Sequence, residues 1–161
     1  MRPLILATLT ALALAPSAGA ASLTPYGNPR FGFWVDVPAS LRRLPPPDNG
    51  DGQAWRTLSG KVNLSAWGSF APGVYGETSV QATFNREKKT VLQDGARLTY
   101  THLAADGFTL SGFLGSGEIF YQRSRLRNGV QITVLVTYPP SEAATWNKLV
   151  GPVAASLRWG R

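Results

Sequence analysis

The chain has no cysteine and a single histidine, His102. Without cysteine there is no disulfide, no thiol nucleophile, no thiolate-held zinc and no iron–sulfur cluster. One histidine excludes a histidine-rich metal site and leaves one candidate base for Ser–His–Asp chemistry. No Gly-x-Ser-x-Gly elbow accompanies it, because Gly112 and Gly115 flank Phe113-Leu114 rather than a serine. GFLGSGE (112–118) also lacks the Gly-Lys-Ser/Thr of a phosphate-binding P-loop and reads as a hairpin turn or bulge. Acidic residues are scarce, nine against sixteen Lys and Arg. Asp94, Asp106 and Glu118 fall near strand ends, and nothing in their spacing marks an acid–base pair. No catalytic residue, metal ligand or cofactor motif is assigned.

Long apolar runs are absent with one exception, Leu4 to Ala15. It follows a basic Met1-Arg2 start and precedes Pro16-Ser17-Ala18-Gly19-Ala20, small residues at the positions signal peptidase reads. Residues 1–20 therefore read as a secretory signal cut after Ala20, with 21–161 as one mature domain. As a helix, twelve residues span about 18 Å, short of a hydrocarbon core of roughly 30 Å, so no transmembrane anchor remains. The lipid-anchored route needs a cysteine and is closed. The expected location is periplasmic or secreted, and the mature length of roughly 140 residues suffices for one packed core.

The formal charge is +7, and loss of Arg2 leaves fifteen basic against nine acidic side chains. Such a surface favours anionic partners. Export and the scatter of the basic residues argue against nucleic acid.

FGFWVDV (31–37) alternates Phe31, Phe33, Val35 and Val37 against Gly32, Trp34 and Asp36, the period of a strand ended by Pro38. Pro45, Pro46 and Pro47 favour an extended connector. Runs 53–58 and 62–68 around Ser59-Gly60 read as a hairpin with Val62, Leu64 and Ala66 on one face. Trp67 lies on the other face, where a helix is expected to cover it. Thr78 with Gln81 suggests a capping box, Val80, Phe84 and Val91 a helical stripe, and Asp94-Gly95 a stop, which predicts a helix over 78–93. Strands follow at 96–103, 107–114, 117–127 and 130–138, the last two joined by Asn128-Gly129, which suits a type I′ turn. After Pro139-Pro140, Ser141 is a candidate cap for a helix with the stripe Trp146, Leu149, Val150, Val153 and Leu157, which Gly151-Pro152 should kink or split. The order is β-β-β-α-β-β-β-β-α. The fold class is α+β, a single-domain antiparallel sheet sandwiched between helices, one on each face.

Four stretches carry a resemblance: YGNPRFGFWVDVP, PPPDNGDGQAW, LTYTHLAADGFTLSGFLGSGEIFYQR, and a terminal Tyr-Pro followed by an amphipathic helix. Together they span residues 26–158, and the chain resembles exported bacterial proteins of the PsbP-like superfamily. The resemblance implies an antiparallel sheet between helices. It also implies an accessory or binding role rather than catalysis, since that superfamily includes a thylakoid-lumen photosystem subunit, a nuclear-transport factor and envelope lipoproteins. The missing lipidation cysteine departs from the last group.

Binding candidates come from two places. Arg123, Arg125 and Arg127 alternate with Tyr121 on one strand face, a ladder suited to an anionic envelope component or an acidic protein partner. Trp55 and Arg56, beside the DNGDG loop (48–52), are placed to stack on and pair with an anion. That loop fails as an EF-hand. Counted from Asn49, position 6 is Ala54 and position 12 is Gly60; counted from Asp48, positions 3 and 5 are glycines. It reads instead as a turn in which Asp48, Asn49 and Asp51 bond nearby amides. His102, in register with Leu98 and Tyr100, is expected to be partly buried and hydrogen-bonded. The expected function is an exported, non-enzymatic binding or accessory module, the alternative a small exported hydrolase or hydrolase inhibitor. A concave pocket holding His102 with a carboxylate and a hydroxyl would favour the alternative.

Overall fold

The computed structural model describes residues 21–70 and 79–160. The apolar leader 1–20 and Thr78 of the expected capping box lie outside the described residues.

Seven strands form an antiparallel sheet in the spatial order β3-β4-β5-β9-β8-β7-β6. They are β3 (Arg42–Arg43), β4 (Gly52–Arg56), β5 (Asn63–Phe70), β6 (Arg97–Ala104), β7 (Gly107–Phe113), β8 (Ile119–Arg127) and β9 (Val130–Tyr138). The β8–β9 hairpin turns at Asn128 (φ 53°) and Gly129 (φ 71°), the pair of left-handed residues that a type I′ turn requires. β9 sits at the centre. Its Ile132, Val134, Val136 and Tyr138 point to one face and are at most 2% exposed.

The segment 31–37 departs from a one-sheet reading. β2 (Phe33–Pro38) pairs with β1 (Leu23–Asn28) and β10 (Arg158–Trp159) in a separate three-stranded sheet. This small sheet lies over the large one with Phe33, Val35 and Val37 pointing inward, so Phe31 falls in the turn before it.

Helix α1 (Val80–Gln93) lies on the opposite face over β6 and β7, burying Phe84 against Phe108 with ring centroids 5.7 Å apart. Ser79, not Thr78, is its N-cap, accepting the Ala82 amide at 3.2 Å. The stop at Gly95 (φ +84°) is a Schellman motif: Ala96 N–H donates to Val91 O, and Gly95 N–H donates to Leu92 O.

The C-terminal stripe is split into α2 (Ala143–Trp146) and α3 (Val150–Ser156), preceded by a 3-10 turn at Pro140–Glu142; the break falls at 147–149, ahead of Gly151-Pro152 rather than at it. Ser141 does not cap it, since that turn carries no side-chain cap bond. Pro152 stands in the first turn of α3, where its missing N–H has no partner to lose. Trp146, Val150, Val153 and Leu157 join the core on the face shared with the small sheet. The two amphipathic stripes thus lie on opposite faces of the large sheet, as the patterning requires.

Each face is covered over only part of its width. α1 covers β6 to β8 on its face, and α2, α3 and the small sheet cover β4, β5 and β9 on the other. The floor left open on the α3 face is the β6–β7–β8 end, which carries Tyr100, His102, Ser111, Tyr121 and Arg123. Across the sheet, Trp67 stays half-buried because α1 does not reach β5. A groove there is bounded by Trp67, Pro45 and Pro47.

Candidate functional site

Tyr121, Arg123 and Arg125 alternate along β8, so all three point to the α3 face. There they border a cleft of about 280 Å³ whose other wall is Gly151, Ala154 and Ala155 of α3. The small helix residues keep the helix close to the strand without filling the gap. Thr109, opposite Arg123 on β7, completes the floor.

The arginines do not stand free at a solvated strand end. Arg125 donates from Nε to Asp106 Oδ2 at 2.9 Å, from Nη2 to the same oxygen, and from Nη1 to Leu157 O at 3.1 Å. Leu157 is the C-cap residue of α3, so through this bond the guanidinium caps a helix end where carbonyls lack partners and a cation is favourable. Arg123 reaches Asp106 Oδ1 at 3.7 Å and Thr109 Oγ1 at 3.4 Å, both long contacts. Arg127 leaves the cleft, its guanidinium 4.5 Å from the Trp159 ring centroid. The ladder therefore splits by role. Arg125 and Arg127 hold the C-terminal segment to the sheet, and Arg123 is the guanidinium least committed to protein partners. With one carboxylate facing two guanidiniums, the cleft keeps a positive excess.

Tyr121 feels the same surroundings. Burial pushes its phenol above the usual tyrosine range, and the neighbouring Tyr100 phenol adds to this, while Arg123 opposes it. Tyr138 is raised by burial and secondarily by Tyr121; its hydroxyl donates to Asn147 Oδ1 at 2.8 Å. Ionisation of these two is disfavoured in the folded state. Their contribution to stability is present below the ordinary tyrosine value of about 10 and is lost as pH rises through the higher folded values. An ultraviolet absorbance titration is expected to show late-ionising tyrosines. Tyr121→Phe should remove part of that late component, and an unchanged late component would contradict the burial.

The second pair of candidates is not brought together. Trp55 is 6% exposed in the core, packed edge-on against Tyr26 at 5.0 Å, and cannot stack on a ligand. Arg56 points to the opposite side of β4, exposed, with Nε donating to Asn63 Oδ1 at 2.7 Å. The DNGDG loop is a clamped turn. Gly50 takes φ +66°, Gly50 N–H donates to Pro47 O, and Asp51 N–H donates to Asn49 Oδ1 at 3.2 Å. Asp51 pairs with Arg30 at 2.7 Å and accepts from the Asn49 side-chain Nδ2 at 2.6 Å rather than from a backbone amide, and Asn28 Nδ2 donates to Gly50 O at 3.0 Å.

His102 also differs from its expected setting. A β-bulge between Leu98 and Tyr100 reverses the face of everything after it. Leu98 packs toward α1, whereas Tyr100 and His102 face the other side and are exposed. His102 lies outside the cleft. Among the described residues, no three His, Asp or Glu side chains gather as metal ligands, and no helix is long and apolar enough to cross a membrane.

Sequence reasoning missed Asp106, Thr109 and the small face of α3. Asp106 sits in the β6–β7 turn, 19 residues from Arg125, and no local pattern marks such a pairing.

No protein-family model and no curated protein matches the chain. Among solved structures it is similar to cyanobacterial PsbP (CyanoP) from Synechocystis, with TM-score 0.65 and 21% identity over 92% of this chain and 98% of that one. It is also similar to the Ran-binding protein Mog1p of Saccharomyces cerevisiae, with TM-score 0.57 and 7% identity over 87% and 96%. A protein from Bacteroides thetaiotaomicron gives TM-score 0.52 and 11% identity, covering 85% of this chain and 48% of that chain. The likeness is one of architecture: the chain has the PsbP-like fold.

Proposed function

We propose that the chain is an exported, non-enzymatic binding module of the cell envelope that recognises an anionic group in the cleft between β8 and α3. The observation that carries this is Arg123. It faces an open cleft beside Tyr121, holds only long contacts, and belongs to a pair of guanidiniums with one carboxylate between them. A planar guanidinium suits carboxylate or phosphate oxygens, and a half-buried setting is less screened than open surface. An acidic envelope polymer and an acidic side chain of a protein partner share this chemistry. Mog1p, described as Ran-binding, is a precedent for a partner-binding role on a similar architecture.

The test uses polyglutamate and phosphatidylglycerol vesicles as anionic probes. Arg123→Gln is expected to weaken binding to at least one of them ~10- to 100-fold, the range of a lost charge-assisted hydrogen bond. Arg56→Gln, on the other face, should leave it unchanged. Equal binding by Arg123→Gln and the parent protein, with both probes, would refute the assignment.

A further inference from the structure

The two edges of the large sheet are built differently. β3 is two residues long, both arginines, and prolines 45–47 follow closely. Shortness, charge and proline are the features that keep a sheet edge from accepting another strand. β6 has none of them along its middle. It runs eight residues, with no proline and no Lys, Arg, Asp or Glu between Arg97 and Asp106. Thr99 through Leu103 are all exposed, Tyr100 by 50% and Leu103 by 38%. A long, uncharged edge rich in threonine and aromatic side chains is a template for pairing.

We infer that β6 pairs antiparallel with β6 of a second copy of the chain, about a two-fold axis at His102. The bulge between Leu98 and Tyr100 breaks the regular ladder at one end and the strand stops at Ala104, so the straight part is Tyr100–Ala104. His102 is its centre. A two-fold axis perpendicular to the sheet keeps each side chain on its own face, so residues of matching parity meet. His102 then lies opposite its copy, Thr101 opposite Leu103, and Tyr100 opposite Ala104. The largest exposed side chain faces the smallest, and neither copy brings a fixed charge to the seam. This self-complementarity selects a second copy over an unrelated extended segment.

The consequence reaches the cleft. Tyr100 and His102 lie on the same face as Thr109, Tyr121 and Arg123. Pairing at β6 continues that floor into the partner, so the clefts become the two ends of one trough running from α3 to α3. The pairing rests on the edge and holds whether or not the cleft takes an anion.

An edge contact buries less than the ~1,200 Å² of stable complexes, so association is expected in the roughly micromolar to millimolar range. Sedimentation equilibrium of the purified chain, over a concentration series reaching about 1 mM in that range, should show the mass rising toward twice the monomer. His102→Lys sets two lysines face to face and should weaken association several-fold. Because the chain has no cysteine, a single His102→Cys reports register directly. Under mild oxidation it should form a disulfide-linked dimer, and Thr101→Cys and the exposed control Ser59→Cys should do so at least fivefold more slowly. A monomer throughout the series, with no preferential His102→Cys dimer, would overturn the pairing, whatever else binds β6. A dimer cross-linked through Thr101→Cys but not His102→Cys would overturn the two-fold at His102. Neither readout uses the anionic probes, so failure here is separable from failure of the cleft assignment.

Discussion

Replacing Phe108 by alanine is expected to lower the unfolding free energy by about 3–5 kcal/mol, the range for truncating a buried aromatic ring. Phe108 has no exposed surface, and its ring meets Phe84 edge-on at 5.7 Å, so β7 has little freedom to close the cavity. Against a total stability of roughly 5–15 kcal/mol for a small domain, that single change should approach the limit of folding. Leu64→Ala, equally buried but in the other core, should cost about 2–5 kcal/mol. The two residues lie on opposite faces of the large sheet and three strand spacings apart, roughly 14 Å at the usual inter-strand distance. Independent sites at such a separation add within about 0.5 kcal/mol. Urea unfolding of Phe108→Ala measures the loss, and the milder Phe108→Leu, which leaves a double variant folded, is combined with Leu64→Ala to measure the additivity. A coupling energy above about 1 kcal/mol, beyond that additivity range, would mean that the two cores share side-chain contacts, and the division into two faces would be wrong.

The two cores were readable because each element declares its buried face locally. β9 alternates Ile132, Val134 and Val136 without a break, α1 ends on a glycine with φ +84°, and Asn128-Gly129 supplies both left-handed residues of its turn. What escaped had its cause elsewhere in the chain. β1 contains Pro25 and Gly27 and has no alternating pattern to mark it, yet it is an edge strand, where proline is tolerated. At Gly27 a Cβ would sit 2.8 Å from the Trp34 ring, so the glycine is there for contact rather than for flexibility. Missing β1 had a second effect. Tyr26 on that strand covers Trp55, so without β1 the tryptophan looked available to a ligand. His102 was misplaced by one residue of parity, because a bulge leaves no fixed mark in composition. The arginine ladder was read correctly as lying on one face. Its partners, Asp106 and the Leu157 carbonyl, are 19 and 32 residues away; the first comes into reach when β7 pairs with β8, the second only when α3 docks.

That docking gives the second large effect, and it separates Arg125 from Arg123. Arg125→Gln is expected to lose about 1–2 kcal/mol of stability, the lower part of the range for hydrogen bonds to charged groups, because Asp106 is half-exposed and its ion pair is screened. The loss has two sources. One is the fork onto Asp106, and the other is the Leu157 carbonyl, left without its cation at the end of α3. Amide exchange should therefore quicken first in α3 and β10, before the rest of the sheet opens. Arg123→Gln breaks only long contacts and should shift the urea midpoint little. Anion binding should fall in both variants, through lost cleft geometry in Arg125→Gln and through a lost donor in Arg123→Gln. Only the Arg125→Gln loss should be accompanied by faster exchange in α3. If Arg123→Gln destabilises the fold as much as Arg125→Gln does, both arginines are structural, and the cleft has no guanidinium to offer a ligand.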